Sequence, residues 1–229
     1  MATAVGILLA LAFGIPLVIS AQTAPPQRRS GVFRVGPWIE LFNRKNLDGW
    51  EVIGDGVWMV LRDGVLLGQC DPRHPCLHQS WLYTTRQFGE FDLQLEYWTR
   101  LAGNSGVSIR DTSRARFAVG AQWDRNRTPS HIGYEIQIGS GSGKGYEVSG
   151  SVYLLDAAKP GIQRDSDWNT LQIESRNDLI VVRLNGTVVS QHPGLPERSK
   201  TGPIGLQLHD KDSIVMFRNI RIRETTRTR

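Results

Sequence analysis

Phe91-Asp92-Leu93-Gln94-Leu95-Glu96-Tyr97-Trp98 sets Phe91, Leu93, Leu95 and Tyr97 against Asp92, Gln94, Glu96 and Trp98. Successive side chains of a strand point to opposite faces, so each set shares one side. A period of two sustained over this length predicts a strand with one buried face rather than a helix. Shorter versions follow on either side. Trp58-Met59-Val60, Asp63-Gly64 and Val65-Leu66-Leu67 predict a hairpin. Ile180 to Leu184, Asn185-Gly186 and Val188-Val189 predict another, because Asn-Gly suits a type I′ turn. Ile214 to Ile222 reads as a long final strand, with Val215, Phe217, Asn219 and Arg221 on one face and Ile214, Met216, Arg218, Ile220 and Ile222 on the other. No amphipathic helix of ten or more residues and no internal repeat is evident. Many short strands in 229 residues, with 24 Gly and 11 Pro for turns, predict a single all-β domain, a jelly-roll β-sandwich.

The composition excludes several classes of function. With 40% hydrophobic and 21% charged residues, the chain is neither membrane-like throughout nor disordered. Its +5 net charge is spread over scattered arginines, so nucleic acid is not an expected partner. Residues 1–21 read as a secretory signal peptide: Val5 to Ile19 is uncharged and apolar, and small residues Ser20-Ala21 follow. The run is short for a spanning helix, so no membrane association is expected after cleavage. The expected location is periplasmic or secreted. Residues 22–37 read as a flexible leader, 38–225 as the β-sandwich and 226–229 as a basic tail. Cys70 and Cys76, the two cysteines, flank a Pro-containing loop that a disulfide would close in an oxidising compartment. A zinc site would need a second ligand cluster, which the sequence does not offer.

Three segments carry polar residues with strand parity: Ser108 and Arg110, Glu135 and Gln137, and Gln207 and His209. Were these strands neighbours in one sheet, a single face would gather Arg110, Glu135, Gln137, Gln207 and His209. A carboxylate, an imidazole, a guanidinium and two amides suit a polyol ligand. Glu135 and His209 are also candidates for acid–base work or metal ligation.

The chain resembles the 3-keto-disaccharide hydrolase domain family. The resemblance is carried by Leu41-Phe42-Asn43 through Leu47-Asp48-Gly49-Trp50, Asn104-Ser105-Gly106-Val107 with Arg110, and Gly133-Tyr134-Glu135-Ile136-Gln137. It continues through Gly150-Ser151-Val152-Tyr153, Asp167-Trp168-Asn169, Leu184-Asn185-Gly186, Gly202-Pro203-Ile204-Gly205-Leu206-Gln207-Leu208-His209 and Phe217-Arg218-Asn219-Ile220. It implies a concanavalin A-like sandwich in an exported bacterial protein whose partner is a carbohydrate. The implied chemistry is cleavage of glycosides already oxidised at C3. The ketone acidifies the C2 proton, a base removes it, the C1 substituent leaves by elimination, and water adds. His209 is then the implied base, Glu135 an acid or metal ligand, and Arg110 a holder of sugar oxygens or of the enolate. Asn104, Gln137, Gln207, Glu96 and Tyr153 would contact the sugar. A divalent cation held by Glu135 and His209 would steady the enediolate. No organic cofactor is implied. The competing readings are a carbohydrate-binding module using the same face and an interaction domain of a sugar-uptake system.

The chain departs from the family pattern at two places. The Asp usual after Glu-x-Gln is absent, since Ile138 leads into Gly139-Ser140-Gly141-Ser142-Gly143 with no carboxylate before Glu147. Asp210 follows His209 where Gly is usual, which sets a negative charge beside the imidazole. The Arg-rich stretch Ala121 to His131, with Trp123, reads as a lid, a specificity loop or a plain surface loop. Glu90, Asp92 and Glu96 do not have the spacing of a β-glucanase carboxylate trio, so ordinary retaining hydrolysis is not expected.

Overall fold

The computed structural model describes residues 33–71, 73, 76–101, 103–140, 143–176 and 178–227. The signal-peptide reading and most of the leader lie outside the described residues. In chain order the strands are β1 (Phe33–Val35), β2 (Ile39–Glu40), β3 (Trp50–Ile53), β4 (Val57–Val60), β5 (Leu66–Gln69), β6 (Ser80–Thr84) and β7 (Phe91–Thr99). They continue as β8 (Ser105–Ile109), β9 (Tyr134–Ile138), β10 (Asn169–Arg176), β11 (Leu179–Leu184), β12 (Thr187–Pro193), β13 (Ile204–Leu208) and β14 (Ile214–Arg227). The one α-helix among the described residues is α1 (Pro129–Ile132).

These strands form two antiparallel sheets, as a β-sandwich requires. The larger runs β12-β11-β10-β7-β14-β5-β4, with β1 and β2 also on β14. The smaller runs β3-β6-β13-β8-β9. Both hairpins read from sequence are present, β4 with β5 and β11 with β12. The second turns through Asn185 and Gly186 at φ 50° and 82°, the positive values that a type I′ turn demands. Phe33–Val35, expected in the flexible leader, pairs instead with β14, from Val35↔Thr225 through Phe33↔Arg227. Ladder hydrogen bonds come from backbone groups, so this pairing needs no apolar pattern to announce it.

The core fills the space between the sheets. Phe91, Leu93, Leu95 and Tyr97 of β7 lie in it, as their alternation predicts. They meet Leu82 of β6, Leu206 and Leu208 of β13, Val107 and Ile109 of β8, and Ile136 of β9. Strand β14 departs from a straight reading. Val215 and Phe217 are buried, and so are Ile220 and Ile222. Asn219 adopts φ 52°, and the register against β7 shifts between Arg218 and Arg221. This bulge switches parity and returns both isoleucines to the core. The face expected to unite Val215 and Phe217 with Asn219 and Arg221 is therefore broken at Asn219.

A second apolar cluster sits on the opposite side of the smaller sheet. Trp81 and Tyr83 of β6 pack there with Ala115 and Ala118. Asp111 anchors that segment: it accepts from Tyr83 Oη at 2.7 Å, from the Ala115 N–H at 2.7 Å and from the Ser113 N–H at 2.9 Å. The segment after β8 thus covers part of the outer face of the sheet and leaves the remainder open as a cleft.

Candidate active-site cleft

Strands β13, β8 and β9 are neighbours, which brings the polar residues read from sequence onto one face. The register sets Gly205 beside Ser108 and Ser108 beside Glu135, while Gly106 lies beside Gln137. The cleft above this face has a volume of about 630 Å³, within the range of about 300–1,000 Å³ usual for ligand sites. Its floor includes Glu135, Gln137, Asn104 and His209, and Tyr153 and Glu147 come from the segment beside β9. Residues 123–131 form a wall through Trp123, Asn126, Thr128 and His131. The stretch read as a lid, a specificity loop or a surface loop therefore faces the cleft.

Glu135 is the central carboxyl. It is buried, and burial pushes its pKa up to about 7, although the nearby His209, Gln207 and Ser130 pull the other way. Gly106 leaves room for it: a Cβ there would come within 2.7 Å of Glu135 Oε1. Gln207 is fully buried. Gln137 Nε2 donates to Asn104 Oδ1 at 3.0 Å, so the two amides orient each other. The Tyr153 backbone N–H bonds to the Glu135 carbonyl at 2.8 Å. Burial and the Glu135 and Glu147 carboxylates raise the pKa of the Tyr153 hydroxyl, which keeps it a donor.

His209 stands at the end of β13 with Nδ1 3.2 Å from Asp210 Oδ2. The other Asp210 oxygen accepts from Ser213 Oγ at 3.0 Å and from the Asp212 N–H at 3.0 Å. Ser213 Oγ in turn accepts the Asn104 N–H at 3.2 Å. The hydrogen bond to His209 is the largest influence on Asp210 and brings its pKa down to about 2. The residue that departs from the family pattern thus presents a fixed carboxylate to Nδ1. When that nitrogen carries the proton, Nε2 has a free lone pair.

Gln207, expected to contact the sugar, is fully buried and does not line the cleft, and two further expected site residues lie elsewhere. Arg110 is fully buried, with Nη2 4.0 Å from Glu90 Oε1 and Nη1 3.7 Å from Asp178 Oδ1. It does not line the cleft. Its φ of 59° ends the β8 alternation, and its backbone is wedged so closely that a Cβ on Gly202 would come within 2.5 Å of its Cα. Parity fails at this residue, and the guanidinium reaches charged groups flanking strands of the larger sheet. Glu96 is the second correction. It points outward from β7, where Arg218 Nε donates to it at 2.7 Å and Asn219 Nδ2 at 2.9 Å.

Conversely, the sequence reading missed Gln79, Ser130, His131 and Glu147 as cleft residues. The Glu147 carboxylate reaches the cleft because its segment packs against Gly139, where a Cβ would come within 2.2 Å of the Glu147 carbonyl. Ser130 and His131 follow Pro129 at the start of α1, a helix-start signal the sequence does show. Burial and Arg198 lower the pKa of His131.

Cys70 and Cys76 form the expected disulfide, with Cα atoms 5.6 Å apart. No group of three or more His, Cys, Asp or Glu suited to a metal ion occurs among the described residues. Glu135 and His209 are a pair, which by itself does not complete a protein metal site.

The profile of the 3-keto-alpha-glucoside-1,2-lyase-like domain matches residues 37–223. A Parabacteroides distasonis protein described as a candidate glycosyl hydrolase has a similar structure, with a TM-score of 0.64 and 28% identity, covering 82% of this chain and 99% of that one. The carbohydrate binding module CBM66 from Bacillus subtilis aligns with a TM-score of 0.51 and 15% identity, over 75% and 93% of the two chains. The basic winged bean lectin aligns with a TM-score of 0.54 and 9% identity, over 86% and 100%. The last two likenesses concern the jelly-roll fold. No curated protein sequence matches the chain.

Proposed function

This chain belongs to the 3-keto-alpha-glucoside-1,2-lyase-like domain family, and from that premise we propose that its cleft cleaves 3-keto-glycosides by elimination and hydration. The observation that carries the proposal is the pairing of a buried Glu135 with His209 on the floor of a polar cleft. Removing a proton beside a ketone and expelling an alkoxide requires a base and an acid in one site.

His209 Nε2 takes the C2 proton, and the C–H electrons pass into the C3 carbonyl as an enolate. The enolate re-forms the ketone, makes a C1=C2 bond and expels the C1 oxygen, which receives the Glu135 proton and leaves as an alcohol. Water then adds at C1 and a proton returns to C2, so the net change is hydrolysis. Asp210 orients the imidazole through Nδ1. Tyr153, Gln137 and Asn104 supply donors for sugar and enolate oxygens, in the place first given to Arg110. No step is routed through a cation. Export is part of the proposal, supported by the disulfide.

A 3-keto-glycoside with a chromogenic leaving group, assayed beside its unoxidised parent and with and without chelator, tests this reading. Release from the keto substrate alone supports it, and chelator-sensitive release would add a cation to the site. Saturable binding without release from either substrate would replace it with a carbohydrate-binding role.

A further inference from the structure

The floor chemistry accounts for one sugar ring but leaves the wall of the cleft unexplained. Trp123 is 45% exposed and lines the cleft. Among the described residues, it and Leu154 are the two exposed large apolar side chains that do so. The indole is backed on one side: its ring centroid is 5.1 Å from that of His78, with planes 14° apart. A ring braced by a parallel partner and open to a cleft is a platform for a flat or CH-bearing ring face.

The supporting loop is cross-braced. Arg127 lies 3.5 Å above the Phe117 ring and Arg116 lies 5.8 Å from it. Arg116 Nε donates to Gln122 Oε1 at 2.8 Å, and the Asp124 N–H donates to the Phe117 carbonyl at 2.7 Å. These contacts hold Trp123 in place before a ligand arrives, which reduces the ordering cost of binding. Arg125 and Asn126, also in the cleft, place polar groups next to the indole in sequence.

We infer that Trp123, backed by His78, is a specificity platform for the second ring of a two-ring glycoside, the sugar or aryl group joined through the glycosidic oxygen. The inference rests on the reading of the floor as the site of cleavage. It makes the protein selective for ring-bearing leaving groups over small alkyl ones.

The test compares kcat/KM for a phenyl 3-keto-glucoside, a 3-keto-disaccharide and methyl 3-keto-glucoside in wild type, Trp123→Ala and Trp123→Phe. The ratio of two-ring to methyl substrates should fall about tenfold in Trp123→Ala and recover substantially in Trp123→Phe. His78→Ala should lower the ratio less. An unchanged ratio in Trp123→Ala would overturn the inference. If the wild type turns over none of these substrates, calorimetric Kd values for phenyl and methyl glucoside supply the same ratio, so failure of cleavage and failure of the platform are read separately. Wild-type binding of neither, or equal binding of both, would also overturn it.

Discussion

The outer faces of the two sheets use the same alternating pattern for opposite purposes. On the larger sheet the outward carboxylates of β7 and β10 are matched with cations. Asp92 meets Arg176 and Arg223, Glu174 meets Arg183, and Glu96 meets Arg218. Burial alone would raise Glu96, but hydrogen bonds from Asn219 and Arg218 outweigh it and leave the carboxyl below its ordinary range. On the smaller sheet Glu135 is buried among amides, hydroxyls and an imidazole, and burial wins. Alternation places a carboxyl on a face; the neighbours decide whether it is a fixed anion or a titrating acid.

Substitutions that sever this difference should have unequal effects. Glu135→Gln and His209→Ala should each lower kcat on a 3-keto-glycoside by about 10²–10⁴-fold, the range for loss of a positioned acid or base. Glu96→Gln should leave kcat unchanged. Equal losses at Glu96 and Glu135, measured by steady-state kinetics with circular dichroism as a folding control, would erase the distinction.

The pH dependence of stability gives the next largest effect. In the fold the Glu135 carboxyl titrates at about 7 against an ordinary value of 4.5, so folding favours its protonated form. Its stabilising contribution is therefore complete below about pH 4.5 and is lost as pH rises through about 7, by about 3 kcal/mol. Glu135→Gln should flatten the fall in Tm across this window. Asp210 has the opposite sign: its contribution is present above its ordinary value of 3.8 and is lost as pH falls through about 2. A wild-type Tm that rises between pH 5 and 8 relative to Glu135→Gln would contradict the assignment.

Gly106→Ala sharpens the comparison at lower amplitude. The added methyl meets the Glu135 carboxyl, so activity should fall by roughly tenfold while Tm moves little, because the group displaced is the end of a side chain. The smallest effect belongs to the paired face. Glu96→Gln should cost under about 1 kcal/mol in urea denaturation, since Arg218 is more than a third exposed and water screens the pair.

Much of the fold was legible because β7, the two hairpins and the strands carrying Glu135 and Gln207 obey a strict period of two. Legibility ended where one residue left the strand region. Arg110 and Asn219 both adopt positive φ, and from each point onward a parity argument assigns side chains to the wrong face. Nothing in the residue type announces this for an arginine. Glu96 failed for another reason: the resemblance, not parity, put it at the site, and β7 belongs to the larger sheet. The cleft floor was readable because Glu135, Gln137 and His209 sit on or beside neighbouring strands. The wall was not, because loop 111–133 owes its position to long-range contacts such as Tyr83 with Asp111.

The central claim is that cleavage begins at C2, and cleavage in D₂O tests it most directly. Mass spectrometry of the 3-keto sugar released by the wild-type enzyme should find one deuterium at C2, in excess of product simply incubated in the same buffer. Product without that deuterium, or cleavage of the unoxidised glycoside at a comparable rate, would contradict it.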